Sequence, residues 1–497
     1  MAQTRLSSLL PRTALLHLGL ATGGASGALA FAPLYWAPVM WLSLAALFIC
    51  VARAPSAGAA AWRGLSWGMG YFVANIYWVF ISMHVYGGMP AWMAAGCTVL
   101  FALYLALFPA LAGWLGQRLA APARWRLPLL IPAAFVATEY LRGWLFTGFP
   151  WASSGVSQLP HTPLAGFAPV LGAWGVGLLL ALSVGLLASR PRSPRHWGAV
   201  AAIWLAGGAL QQVDWTVAQG RPVTVTLVQG NIPQNMKWDE AHFVENLRTY
   251  LQLTRAARGE LVILPETAIP AFLEDIPGWY LAHLRQAVGD RHLISGVPIQ
   301  GKQPDEYYNA VLALSDATQP AYYKHHLVPF GEFVPVPALF GWMYRFLNMP
   351  LSGFTSGPAR QAPLQLGATR LAPNVCYEDV FGREILRALP QATLLVNVSN
   401  LAWFDGSWAA AQHAQMSQAR ALETGRYMLR ATNTGMTAII DEKGHIRAAA
   451  PQMQKALLEG RARNFSGMTP YARLDDWPVL LTIGFILGAA ALARRRI

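Results

Sequence analysis

The sequence predicts a polytopic α-helical membrane bundle of eight spans that carries one α/β domain. Three observations lead there. Of 497 residues, 54% are hydrophobic and 12% charged, about half the roughly 25% charged share of soluble domains. The formal charge of +13 is unevenly placed: residues 1–211 hold 11 Arg and one acid, Glu139, whereas 212–476 hold 23 Lys+Arg against 23 Asp+Glu. The apolar part also divides into segments near the ~20 residues that a spanning helix needs. A pI near 9.9 would suit a nucleic-acid groove, but the neutral 212–476 stretch holds no such excess, and nucleic acid is excluded as a partner.

The expected spans are 13–32, 34–52, 62–83, 90–116, 127–146, 164–189, 197–211 and 477–493. Arg5 and Arg12 precede the first, Arg53 follows the second, Arg63 opens the third, and Arg118, Arg124 and Arg126 follow the fourth. Arg190, Arg192 and Arg195 follow the sixth, and Arg494, Arg495 and Arg496 the last. Because Lys and Arg collect on the cytoplasmic side, both termini are expected inside and 212–476 outside. The shortest span, 197–211, is kept because omitting it would put the last Arg cluster outside. Ala28-Leu29-Ala30 has the form of a signal-peptidase site, and cleavage there would not alter the orientation.

Glu139 and Arg142 sit i,i+3 on one helix, either as a structural pair or lining a cavity near the outer face. Gly64 and Gly68 suit a close helix contact, and Trp78, Trp92, Trp151 and Trp477 suit an interfacial belt. The organisation expected is therefore 1–211 membrane domain, 212–476 outer α/β domain, and 477–497 a last span with a basic tail.

In the outer domain, 223–228 alternates as a strand, and 261–264 is a short apolar run as in a buried strand. Further strands are expected at 292–298, 308–314, 392–398 and 434–440. Asp239 can cap a helix whose apolar face is Phe243, Leu247, Tyr250 and Leu251. A second helix is expected over Ala409–Thr424, ending at Gly425. Alternating strands and helices imply a sheet covered by helices.

Of three cysteines, Cys50 and Cys97 fall within spans and Cys376 stands alone in the outer domain. An unpaired thiol in an oxidising compartment is a liability unless used, so Cys376 reads either as an inert buried residue or as a nucleophile. Glu266, directly after the 261–264 strand, reads either as a solvated strand-end acid or as a general base whose proton affinity is raised by desolvation. In Tyr323-Lys324-His325-His326-Leu-Val-Pro-Phe-Gly-Glu332, a cation among apolar residues can stabilise an oxyanion. Adjacent His325 and His326 point opposite ways in an extended chain, and no HExxH or CxxC accompanies them, so no metal is expected.

Together, Leu-Pro-Glu266, Lys324-His-His-Leu-Val-Pro-Phe-Gly-Glu332 and Asn-Val-Cys376-Tyr-Glu resemble the Glu-Lys-Cys triad of the nitrilase superfamily. The spans on both sides of the domain narrow the resemblance to the apolipoprotein N-acyltransferase family. It extends to Gln229-Gly-Asn-Ile-Pro-Gln234 with Lys237-Trp238, to Gly148-Phe-Pro-Trp151, and to Arg430-Ala-Thr-Asn433-Thr-Gly435. The resemblance implies an αββα sandwich with Glu266 as base, Cys376 as nucleophile, Lys324 stabilising the oxyanion and Glu332 orienting the site. Tyr377 and Glu378 would flank the nucleophile, and Trp238 would lie on a mobile loop over the acyl pocket. The implied reaction moves an acyl chain from a membrane phospholipid, through a Cys thioester, to the α-amine of a diacylated apolipoprotein. The enzyme would be a monomer without a cofactor in a bacterial inner membrane. One departure stands out: the family's Ser-Asn-Asp-x-Trp-Phe-Gly reads Ser399-Asn-Leu401-Ala-Trp403-Phe-Asp405-Gly406 here, which alters the loop after Asn400.

Overall fold

The computed structural model describes residues 12–119, 122–303, 306–342 and 353–494. Arg5, Arg495 and Arg496 of the topology argument lie outside them. The chain forms two compact bodies, one of residues 1–80, 92–213 and 474–497, the other of 81–91 and 214–473.

In the first body each expected span coincides with helix: Arg12–Ser26, Ala37–Ala52, Ala57–Ile76, Ala91–Arg118, Ile131–Arg142, Ala168–Ser189, Pro194–Leu210 and Trp477–Arg494. Among the described residues, two are long and apolar enough to cross a membrane, Ala91–Arg118 and Pro163–Ser189, the latter counted with its leading 3-10 turn. Small residues let the helices approach closely. A Cβ on Gly64 would lie 2.1 Å from the Pro109 carbonyl oxygen, and one on Gly68 2.6 Å from the Pro109 ring. Glu139 and Arg142 clamp one loop: Ser154 donates to Glu139 from its N–H (2.9 Å) and hydroxyl (2.6 Å), and Arg142 donates to the carbonyls of Phe149 and Trp151. Both side chains are thus used structurally. Trp78 and Trp151 depart from the expected belt. They are buried against each other with ring centroids 4.8 Å apart, leaving Trp92 and Trp477 exposed.

The second body has two six-stranded sheets. The first runs β12-β1-β2-β3-β4-β5, with β1 Val217–Gln229, β2 Leu261–Ile263, β3 His292–Gln300, β4 Tyr307–Ala313, β5 Tyr322–Tyr323 and β12 Ala456–Ser466. The second runs β11-β10-β9-β8-β7-β6, with β6 Leu364–Leu366, β7 Thr369–Val375, β8 Leu394–Ser399, β9 Met428–Thr432, β10 Ala438–Ile440 and β11 Ile446–Ala449. The central strands β1-β2-β3 and β7-β8-β9 are parallel.

Alternation along each strand assigns its two faces. Val225, Leu227, Leu261 and Ile263 meet Val375, Val396, Val398 and Leu429 between the sheets. Val228, Val262 and Leu264 point the other way, against Leu247 and Tyr250 of the helix Glu240–Ala256 and Tyr280 and Leu284 of Gly278–Val288. On the far face of the second sheet, Ala372, Leu395 and Met428 pack with Ile385 and Ala421. The layers are helix, sheet, sheet, helix, which is the expected sandwich.

The expected strands map onto β1, β2, β3, β4 and β8, and 434–440 onto β10. Asp239 caps its helix by accepting from the Ala241 N–H at 3.0 Å, and Gly425 ends Ala409–Thr424 in the left-handed region, φ 61°.

Candidate active site

The chemistry-bearing residues follow strand ends. Glu266 lies three residues beyond β2, Lys324 directly follows β5, and Cys376 directly follows β7. The carboxylate and the cation therefore come from one sheet and the thiol from the other. Cys376 adopts φ 52°, a region costly for a residue with a Cβ, and opens a 3-10 turn, Cys376–Val380. The sharp turn leaves Cys376 partly exposed, whereas Glu266, Lys324 and Glu332 are buried.

Lys324 Nζ lies 2.9 Å from the Glu332 carboxylate and 3.8 Å from Glu266 Oε1. The Asn309 side-chain amide, on β4, donates to both carboxylates, at 2.8 Å to Glu266 and 3.1 Å to Glu332. The Asn400 N–H donates to the second oxygen of Glu266 at 2.8 Å, and the Val328 N–H to Glu332 Oε2 at 2.8 Å. Burial would depress Lys324, but the charges of Glu332, Glu266 and Cys376 outweigh it and hold the ammonium form. Burial pushes the Cys376 thiol well up, Glu266 raises it further, and Lys324 pulls it down. The thiol thus rests protonated beside a carboxylate that can take its proton.

Glu378 spans the two sheets. Its Oε1 accepts from the N–H groups of His325 (2.7 Å) and His326 (3.1 Å), next to Lys324. Its Oε2 accepts from the Val375 N–H (2.7 Å) and the Tyr322 hydroxyl (2.9 Å). All four partners are donors, so the carboxylate acts as a staple between the cation and the thiol turn. Tyr377 packs edge-on to Phe381, centroids 5.1 Å apart. His326 stacks on Phe381 at 3.7 Å, while His325 Nδ1 lies 2.7 Å from the Gly357 carbonyl, so the paired histidines have different partners. Trp238 follows a one-turn helix, Gln234–Lys237, and lines a depression with Lys237, Asp239, Phe243 and Pro270.

Several site residues were given no role by the sequence. Asn309 is a lone amide in an otherwise apolar-aromatic strand, which is the signal that could have found it. Asn400 joins Gln234 through its side chain (2.8 Å), and Asn433 donates to the Asn400 side chain (3.1 Å) and to the Ile232 carbonyl (2.7 Å). Behind the thiol, the Cys376 carbonyl accepts from Asn397 at 3.0 Å and lies 3.1 Å from His413 Nε2. His413 Nδ1 faces an Arg430 N–H at 2.9 Å, and Arg430 also pairs with Asp379 at 3.1 Å. Arg430 can only donate, so His413 is neutral with its proton on Nε2, consistent with burial and Arg430 lowering its proton affinity. At the altered loop, Leu401 is buried, and Asp405 accepts from the Thr434 hydroxyl (3.0 Å) and from Tyr86. Tyr86 belongs to Ile81–Ala91, the segment that joins this body.

Residues 23–186 match the apolipoprotein N-acyltransferase N-terminal domain, and residues 224–462 match the carbon-nitrogen hydrolase family. An apolipoprotein N-acyltransferase of Nitrosomonas europaea is 45% identical over 93% of this chain and 94% of its own length. One of Chromobacterium violaceum is 46% identical over 98% and 95%. Among solved structures, a carbon-nitrogen hydrolase superfamily protein from Xanthomonas campestris aligns over 53% of this chain and 97% of its own, at 22% identity and TM-score 0.37.

Proposed function

The chain belongs to the apolipoprotein N-acyltransferase family and is an acyltransferase of the carbon-nitrogen hydrolase superfamily; from that premise we propose that Cys376 carries the acyl group between a phospholipid and a diacylated apolipoprotein. Glu266 takes the thiol proton, and the thiolate attacks an ester carbonyl of the phospholipid. Lys324 offsets the charge on the tetrahedral oxygen. The intermediate collapses, the protonated Glu266 returns its proton to the leaving oxygen, and a lysophospholipid departs. The α-amine of the acceptor's diacylglyceryl-cysteine then attacks the thioester while Glu266 takes its proton. Collapse of this second intermediate expels the thiolate, which recovers the proton, and leaves an amide.

The observation that carries the reading is one buried cluster in which a carboxylate and an ammonium act on a partly exposed thiol held at positive φ. A thioester suits the task because an amine opens it readily and the amide formed is stable. Water must be kept out, since hydrolysis competes. Both substrates carry acyl chains, so the reading places 1–211 and 477–493 in the membrane as eight spans, with 212–476 on the periplasmic side, both termini cytoplasmic, and the protein a monomer. Trp238, Tyr377 and Glu332 border the site in this reading.

Replacing Cys376 by Ala tests it. The variant should fold, show no acyl adduct by intact mass after incubation with phospholipid, and let diacylated lipoprotein accumulate. Continued N-acylation by Cys376→Ala, or an adduct on another residue, would overturn the assignment.

A further inference from the structure

We propose that Lys237 is a positioning residue of the acyl-transfer site, whose ammonium supplies a second positive charge beside Glu266. The proposal rests on Cys376 as nucleophile. Lys237 ends the one-turn helix Gln234–Lys237, is 4% exposed, and donates from Nζ to the Glu266 backbone carbonyl at 3.1 Å. A buried ammonium is costly unless opposite charge compensates it. A carbonyl bond alone could be made by a neutral donor, so the charge itself calls for a reason.

The charge count provides one. Two carboxylates, Glu266 and Glu332, face one ammonium, Lys324, and the Glu378 carboxylate also acts on that ammonium, so negative charge is in excess beside a thiol that must ionise. Arg430 also acts on the thiol, but Asp379 offsets it at 3.1 Å, and the adjoining His413 is neutral. Lys237 offsets one of these negative charges, with Glu266 and Cys376 as the groups it acts on. Burial lowers it to about 8, while the charges of Glu266 and Cys376 favour its ammonium form, so it remains largely protonated at neutral pH. When the thiol proton passes to Glu266 the total charge does not change. Lys237 takes no part in the transfer; it lowers the cost of a thiolate there.

The test uses the full-length enzyme in detergent. Alkylation of Cys376 by iodoacetamide is followed by intact mass across pH for wild type, Lys237→Met, Lys237→Gln and Lys237→Arg, with acyl transfer measured in parallel. Both neutral variants should move the alkylation midpoint up by about one pH unit and slow alkylation at pH 7 about tenfold, the scale of one charge acting through part-buried protein. Lys237→Arg should return close to wild type. Gln keeps a donor for the Glu266 carbonyl, so it carries the test should Met fail to fold. An unmoved midpoint in Lys237→Gln would overturn the proposal, because the bond and not the charge would then matter. Failure of the underlying reading is seen separately, as acyl transfer that survives in Cys376→Ala.

Discussion

Replacing Glu378 by Gln changes two atoms and removes one charge, and its cost can be worked from the four donors around the carboxylate. Gln has one acceptor oxygen and one NH2 group. If the oxygen faces His325 and His326, the NH2 faces the Val375 N–H and the Tyr322 hydroxyl. The tyrosine can rotate and accept, but the Val375 N–H is orphaned. The opposite rotamer orphans two backbone N–H groups instead. A buried unpaired donor costs about 1–3 kcal/mol, and bonds to a charged acceptor exceed neutral ones by about 1 kcal/mol. The better rotamer therefore loses about 3–4 kcal/mol. For a domain of this size that lowers the melting temperature by roughly 6–15 °C.

Because Val375 precedes the proposed nucleophile, the turn should also shift against Lys324, and a displacement near 1 Å costs on the order of a hundredfold in kcat. Tryptophan-fluorescence melting and transfer of acyl chain to a diacylated peptide measure the two effects. A fall in kcat with an unchanged melting temperature would refute the staple and point to Glu378 acting on substrate. Full activity and stability would refute both parts of the argument.

Gly296→Ala would set a Cβ 2.6 Å from Glu266 Cα and should cost about 1–3 kcal/mol, lowering kcat while Cys376 still alkylates; Gly278→Ala, with open space around it, should match wild type in the same assays. Asp405 is raised to about 6 because burial outweighs the bonds from Thr434 and Tyr86. A folded-state affinity above the unfolded value of about 3.9 means its contribution is present at low pH and lost as pH rises through about 6. Asp405→Asn should remove that dependence and melt about 2–4 °C above wild type at pH 8, with no gain at pH 4, allowing roughly 1 kcal/mol for a half-exposed group; equal melting at both values would refute it.

What the sequence revealed was whatever depends on near neighbours. Apolar runs located the helices of the first body, the Leu261–Leu264 run located β2, and Asp239 and Gly425 marked helix ends, because a few adjacent residues decide each feature. The helix Ala409–Thr424 shows where that stops. Gln412, His413, Gln415, Ser417, Gln418, Arg420 and Glu423 would ordinarily make a solvated face, yet all 16 residues are buried. Their partners are remote in sequence: Gln418 donates to the Gly444 carbonyl and Arg420 to that of Val380. His413 reaches Asp379 and Arg430. Lys237 is similar, since an isolated lysine before a tryptophan gives no local sign that its ammonium is enclosed. The proposed triad was legible only through its flanks, because neither Glu266 nor Cys376 is distinctive alone.

The location of the site explains why those flanks are polar. The core between the sheets is aliphatic, and apolar contact is non-directional, so it holds the sheets together without fixing their register finely. The proposed acyl transfer requires that register, since Glu266 and Lys324 stand on one sheet and Cys376 on the other. Three polar stitches cross at the strand ends: Glu378 to His325 and His326, the Asn400 N–H to Glu266, and Asn433 to Ile232. Each joins a group beyond the second sheet's parallel strands β7, β8 or β9 to a group beyond β5, β2 or β1. Hydrogen bonds are directional and costly to leave unmade, so they can fix what the core leaves loose. The polar residues around Glu266, Lys324 and Cys376 thus hold two sheets in the register that the proposed transfer needs.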